Sequence, residues 1–215
     1  MTGEDVLERP HVHRAGRGGP PLLLLHGTGG DEYDLIGLGQ VLSPDGALLS
    51  VRGAVLEGPL PRFFRRFAEG EFDEDDLRRR TDDLVRFVAA AVEHYALGPD
   101  GLTIVGFSNG ANIGSALLAA RPELFAGAAL FAAMPPFVQG FGDAQIAGRP
   151  VVVSNGDRDP IATPALTAVL VDQLRRAGAE VHLVPHHGGH QLAPATILRT
   201  RELVHLTSAA EGAAG

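Results

Sequence analysis

At 215 residues and 22.5 kDa the chain suits a single hydrophobic core, and 45% hydrophobic against 20% charged residues excludes general disorder. Eighteen Lys and Arg against 26 Asp and Glu leave a formal charge of -8, a field that repels nucleic-acid phosphates and anionic membrane surfaces. With no cysteine, disulfides, thiolate metal sites and a cysteine nucleophile are all excluded.

Residues 1–20 are polar and charged, with no apolar core of signal-peptide length, and no stretch approaches a membrane span. A single domain over 1–215 is expected, cytoplasmic, with 1–9 and 208–215 as loose ends. Pro20 and Pro21 lead into Leu22 to Leu25, an apolar run too short for a helix and ended by His26-Gly27. It reads as a strand buried on both faces. Helical spacing follows over Glu32 to Leu42, then a strand over Ala47 to Val51. The longest helix is predicted over Asp75 to Tyr95, capped by Asp73 or Asp75 and closed by Gly98 and Pro99. Further strands are read at Leu102 to Val105, Gly127 to Phe131, Pro150 to Ser154 and Glu180 to Val184. Helices are read at Asn109 to Ala120, Pro164 to Ala177 and Gln191 to His205. Six strands alternating with helices predict the α/β class, a mostly parallel sheet of about six or seven strands covered on both faces.

The segment Leu102-Thr103-Ile104-Val105-Gly106-Phe107-Ser108-Asn109-Gly110-Ala111-Asn112 runs from strand to helix through Gly-x-Ser-x-Gly. A serine that attacks a carbonyl must stand at the apex of such a turn, and Gly106 and Gly110 leave room where side chains would collide. The helix N-terminus that follows has unpaired amides, so the Asn109 N–H can donate to an oxyanion. A serine hydroxyl also needs a base, itself oriented by a carboxylate. Val151 to Pro160 carries two acids, Asp157 and Asp159, either of which could be only a turn residue; Asp159 is preferred because Pro160 locks the backbone behind it. Among His186, His187 and His190, His190 is preferred as the base, since Gly188 and Gly189 permit a tight approach and a helix follows. A metal cluster of the three is the competing reading, without HExxH spacing to support it, so no metal is assigned.

His26-Gly27-Thr28-Gly29-Gly30-Asp31 lies after an earlier strand, where small residues let the Thr28 amide turn inward as a second oxyanion donor. It lacks the third glycine of a dinucleotide loop, which has Glu32 in its place, and has no Gly-Lys-Ser/Thr. His26 is expected to anchor this loop by hydrogen bonds. Phe63, Phe64, Phe67 and Phe72 either line an acyl or aryl pocket or pack beneath a loop. Arg62, Arg65 and Arg66 either meet a substrate carboxylate or pair with Glu69, Asp73 and Asp75. The acid run Glu69 to Asp76 reads as a solvated helix entrance.

Leu22 to Asp31, Gly106 to Gly114, Gly156 to Pro160 and Gly189-His190 together resemble the carboxylesterase, phospholipase and acyl-protein thioesterase group of alpha/beta-hydrolases, from about residue 20 to 205. Pro61 to Arg66, Glu69 to Asp73 and Ser108 to Ile113 are most similar to its MhqD-like branch, linked to hydroquinone and catechol stress. The resemblance implies a single-domain alpha/beta-hydrolase with Ser108 as nucleophile, Asp159 as orienting acid, His190 as base, and the Thr28 and Asn109 amides as the oxyanion hole. The chain departs from the esterase and thioesterase branch at Asn109, where that branch usually has Gln, and over Phe63 to Asp73. The expected function is a serine carboxylesterase of short-chain esters, with no cofactor and with a homodimer left open. Hydrolysis of thioesters or aromatic-derived compounds is the first alternative, and a non-catalytic ligand sensor the second.

Overall fold

The computed structural model describes residues 7–98, 101–142, 146 and 148–211, with side chains to residue 203; the remainder of the expected loose ends, 1–6 and 212–215, lies outside the described residues. Leu22–Leu25 forms a strand in which every residue is buried, because its neighbours cover both of its faces. Numbering in chain order, the strands are β1 (His11–Arg14), β2 (Leu22–Leu25), β3 (Leu48–Val51), β4 (Val55–Glu57), β5 (Leu60–Arg62), β6 (Arg66–Ala68), β7 (Glu71–Phe72), β8 (Leu102–Phe107), β9 (Phe125–Phe131), β10 (Pro150–Ser154) and β11 (Glu180–Leu183). The helices are α1 (Ile36–Leu42), α2 (Glu74–Tyr95), α3 (Asn109–Ala120), α4 (Pro164–Arg176) and α5 (Pro194–Glu211).

Seven strands make the main sheet in the order β1-β3-β2-β8-β9-β10-β11. All pair in parallel except β1, which runs antiparallel to β3 with His11 opposite Val51. Side chains alternate across the sheet, so Leu23 and Leu25 enter one apolar layer while Leu22 and Leu24 enter the other. The first layer is closed by α2, α3 and α4 through Leu84, Phe87, Ile113, Leu117, Leu170 and Leu174; the second is closed by α1 and α5 through Ile36, Leu42 and Leu203. The result is the three-layer arrangement of a parallel sheet. Parallel pairing also brings the ends of β2, β8, β9, β10 and β11 to one rim, where the loops carrying His26, Ser108, Asp159 and His190 lie side by side.

Several elements differ from the sequence-based expectation for local reasons. Helix α1 begins at Ile36, not Glu32, because the Asp31 carboxylate accepts from the Tyr33 amide and holds a turn there. Helix α5 starts at Pro194, which sits in its first turn, and continues to Glu211, so 208–211 is helical where a loose end was expected. Asp73 caps α2 by accepting from the Asp76 amide at 2.9 Å. The acid run is a solvated helix entrance only in part: Glu69, Glu71 and Asp75 are exposed, but Asp73 and Asp76 are buried. Its first part, Glu69 to Phe72, turns through Gly70 into the β6–β7 hairpin, and Asp76 is buried, accepting from the Arg65 amide at 2.9 Å beside Arg79 and Arg80.

Leu84 is fully buried where α2 meets the sheet. Leu84→Ala should therefore lower the unfolding free energy by about 2–5 kcal/mol, seen as a fall in urea midpoint with an unchanged slope.

Candidate active site

The site begins with a steric constraint at the junction of β8 and α3. Ser108 has φ 50° and ψ -115°, a left-handed conformation that costs a residue with a side chain. A Cβ on Gly110 would lie 2.1 Å from the Leu25 carbonyl oxygen, and one on Gly106 would lie 2.6 Å from Ala111 Cα. The two glycines are what let α3 press against β2 and β8 and hold the turn sharp. The Ser108 amide is paired with the Phe131 carbonyl at 2.9 Å, so the strained residue is tied to the end of β9. Its side chain stands half-buried at the rim.

Ser108 Oγ lies 2.8 Å from His190 Nε2, and His190 Nδ1 lies 2.8 Å from Asp159 Oδ2. A carboxylate only accepts, so Nδ1 carries the imidazole proton and Nε2 offers its lone pair to the Ser108 hydroxyl. The Asp159 side chain is fully buried, and its other oxygen accepts from the amides of Ile161 at 2.8 Å and Ala162 at 2.9 Å. These bonds replace the lost hydration and fix the carboxylate plane toward the imidazole.

The rival acid and bases go elsewhere. Asp157 Oδ2 accepts from His187 Nδ1 at 2.7 Å in an exposed pair, and that bond, more than any other contact, holds the Asp157 carboxyl below its ordinary range. Both ring nitrogens of His186 are buried without a hydrogen-bond partner among the described residues. The three imidazoles thus face different groups, and no cluster of three metal-ligating side chains occurs among the described residues.

Thr28 lies in the β2–α1 loop and Asn109 is the first residue of α3. Among the described residues their amides take no part in the loop and turn backbone hydrogen bonds, whereas Gly29 N donates to Pro61 O at 2.9 Å and Gly30 N to Gly27 O at 3.1 Å. His26 anchors the loop. Its Nδ1–H donates to the Gly27 carbonyl at 2.6 Å and its Nε2 accepts from the Gly53 amide at 3.0 Å. Burial pushes this imidazole below its ordinary pKa, against the Gly27 bond and the nearby Asp34, Asp31 and Glu32 carboxylates.

Four residues considered as substrate contacts are otherwise engaged. Phe63 and Phe64 are buried, with the Phe63 ring 4.8 Å from that of His26, so they pack beneath the loop instead of lining a pocket. Arg62 is buried and donates to Thr28 Oγ1, Glu57 and the Phe64 carbonyl. Arg65, half-exposed, pairs with Asp73 and Asp76, and Arg66 pairs with Glu57 and Glu69. Glu57 and Asp76 are therefore partners where the sequence suggested Asp75. Phe67, in contrast, is largely exposed.

Two asparagines escaped the sequence reading. Asn155, buried after β10, accepts from the Ala133 amide at 2.9 Å and donates to the Ala133 carbonyl at 2.8 Å. Asn112 of α3 accepts from the Met134 amide at 2.8 Å. Together they clamp the loop after β9 between the serine turn and the acid loop; the only sequence signal was that each lies within a few residues of a candidate site residue.

Residues 20–162 match the family described as alpha/beta hydrolase fold. Over 192 residues the chain is 42% identical to the "Putative hydrolase MhqD" of Bacillus subtilis (strain 168), covering 89% of this chain and 96% of that protein. The carboxylesterase of Bacillus cereus superposes with a TM-score of 0.89 at 37% identity, over 96% of this chain and 100% of the other. A carboxylesterase from Mesorhizobium loti gives 0.86 at 28% identity, over 92% and 95%. The chain belongs to the alpha/beta hydrolase family and is a hydrolase of the MhqD-like carboxylesterase group.

Because His26 accepts from Gly53, only its neutral form fits. Its folded pKa lies below the unfolded value, so it contributes stability above about pH 6.5 that is lost as pH falls through the folded value. Urea titrations from pH 8 to 5 should show the stability gap between wild type and His26→Gln narrowing as pH falls.

Proposed function

We propose that the protein is a serine carboxylesterase that hydrolyses short-chain esters through an acyl-enzyme on Ser108. The observation that carries this reading is the continuous chain from Ser108 Oγ through His190 to buried Asp159, with each link at 2.8 Å.

In the first half-reaction His190 Nε2 takes the hydroxyl proton as Ser108 Oγ adds to the ester carbonyl. The imidazolium that forms is stabilised by Asp159, whose carboxylate is held in place by the Ile161 and Ala162 amides. In this reading the developing oxyanion accepts from the Thr28 and Asn109 amides, and the N-terminus of α3 adds its positive end. His190 then returns the proton to the leaving alcohol, and the acyl group stays on Ser108. In the second half-reaction His190 deprotonates water, which attacks the acyl carbonyl and restores the serine. Nucleophile, acid and base are all side chains, so the cycle calls for no cofactor.

The approach to Thr28 bears on the polarity of the substrate. A Cβ on the adjacent Gly29 would lie 3.2 Å from Cδ2 of the half-exposed Leu60, so an apolar side chain lies beside the loop. An apolar side chain there suits an uncharged acyl or alkyl group over a charged one.

Rates on p-nitrophenyl acetate, butyrate, octanoate and palmitate should fall with chain length, and a matched acetyl thioester serves as the thioesterase comparison. Ser108→Ala should lower kcat at least about 10³-fold, and Asp159→Asn about 10⁴-fold by favouring the wrong imidazole tautomer. Undiminished turnover in either variant would defeat the assignment.

A further inference from the structure

Two oxyanion donors on separate elements need something to hold their spacing. In this chain three consecutive residues span them. Pro61 accepts from the Gly29 amide at 2.9 Å, Arg62 donates through one terminal nitrogen to Thr28 Oγ1 at 3.0 Å, and the Phe63 amide donates to Asn109 Oδ1 at 2.7 Å. The segment is itself fixed. Pro61 and Arg62 lie in β5, paired with β4, and the buried Arg62 guanidinium also donates to Glu57 Oε2 at 2.9 Å and to the Phe64 carbonyl at 3.2 Å. Glu57 is held in turn by Arg66 at 3.1 Å. The Phe63 ring rests against His26, whose own bonds fix the start of the Thr28 loop.

We propose that Arg62 is a positioning residue of the oxyanion hole, the keystone of a Pro61-Arg62-Phe63 splint that sets the Thr28 amide against the Asn109 amide. This rests on the serine-hydrolase reading of Ser108.

The chemistry explains why an arginine stands there. Thr28 follows and precedes glycine, so its backbone has little side-chain packing to define which way the amide points. Its hydroxyl offers a handle, and Arg62 grips it with a terminal nitrogen that also bonds Glu57, while Nε of the same planar guanidinium is anchored on the Phe64 carbonyl. A misplacement of about 1 Å in a catalytic group costs on the order of 100-fold in rate, so a grip on the hydroxyl is worth a rate factor without touching substrate. The same logic gives Asn109 two roles. Its amide is placed for the oxyanion, and its side-chain oxygen, oriented by the Phe63 N–H, locks α3 to the splint; its Nδ2 is buried with no partner among the described residues, consistent with a side chain held for the sake of its oxygen.

The test compares wild type, Arg62→Met, Thr28→Val, Thr28→Ser and the Arg62→Met/Thr28→Val double variant, each with its thermal midpoint recorded. Two readouts are used: p-nitrophenyl acetate kinetics, and inhibition by phenylboronic acid. In the boronate adduct Ser108 Oγ bonds to boron and its proton passes to His190, with no leaving group, and a boron-bound oxygen takes the oxyanion position. Arg62→Met and Thr28→Val should each lower kcat about 10- to 100-fold with KM within about 2-fold, and weaken boronate inhibition in proportion. The double variant should be no worse than the poorer single, because both remove one linkage. Thr28→Ser, which keeps the hydroxyl, should recover most of what Thr28→Val loses. Arg62→Met unfolding would leave Thr28→Val decisive, since it exchanges only the hydroxyl for a methyl. Wild-type kcat in a folded Thr28→Val, multiplicative losses in the double variant, or losses confined to KM would each overturn the inference. A wild-type protein inert to both ester and boronate would instead overturn the serine-hydrolase reading, and the inference with it.

Discussion

The close approach of the first turn of α3 to the end of β2 is the constraint from which the site follows. A Cβ at position 110 would lie 2.1 Å from the Leu25 carbonyl oxygen, far inside contact distance, so any side chain there would push the helix outward. The helix would then relax Ser108 from φ 50° toward the ordinary right-handed or extended regions, and the hydroxyl would leave the rim. The strain at Ser108 is sustained because its surroundings over-determine it: the Phe131 carbonyl holds its amide, and buried β8 and α3 hold its two sides.

The other two members of the chain of hydrogen bonds depend on that position and on each other. The Asp159 loop and the His190 loop are joined where a Cβ on Gly156 would meet the Gly188 carbonyl at 2.3 Å, and where Asp157 N and Arg158 N donate to His186 O and Gly188 O. Asn155 extends the same join to Ala133 beside the serine turn. Burying Asp159 is tolerable because three donors face it; without His190 it would be a poorly compensated charge, and without Asp159 the imidazole would lose its tautomer. The geometry is thus held by backbone and amide bonds of the rim, while the core beneath supplies the rigidity.

Much of this was legible in the sequence where one physical rule dominated. Buried parallel strands appear as short apolar runs, so β2, β8 and β10 were located, and Gly-x-Ser-x-Gly between a strand and a helix pointed to Ser108. The edge strand β1, His-Val-His-Arg, was not legible, since half-burial at a sheet edge imposes no clean alternation. The hairpins β4–β5 and β6–β7 are two or three residues per strand and carry too little pattern to read. Asp159 and Asp157 could be ranked but not separated, because what distinguishes them is which one the Ile161 and Ala162 amides and the His190 ring meet. Arg62 was the least legible. Its sequence setting offers a substrate carboxylate or the acids Glu69, Asp73 and Asp75 as partners, and only the fold reveals a buried guanidinium gripping Thr28.

The central claim is that Ser108 is a nucleophile whose adduct directs an oxygen between the Thr28 and Asn109 amides. The most direct measurement is a crystal structure of the protein after treatment with a small alkyl fluorophosphonate. The account predicts phosphorus bonded to Ser108 Oγ, with the phosphoryl oxygen about 2.7–3.1 Å from both amides and His190 still bonded to Asp159. Phosphorus on another residue, or an adduct on Ser108 whose oxygen faces neither amide, would contradict it.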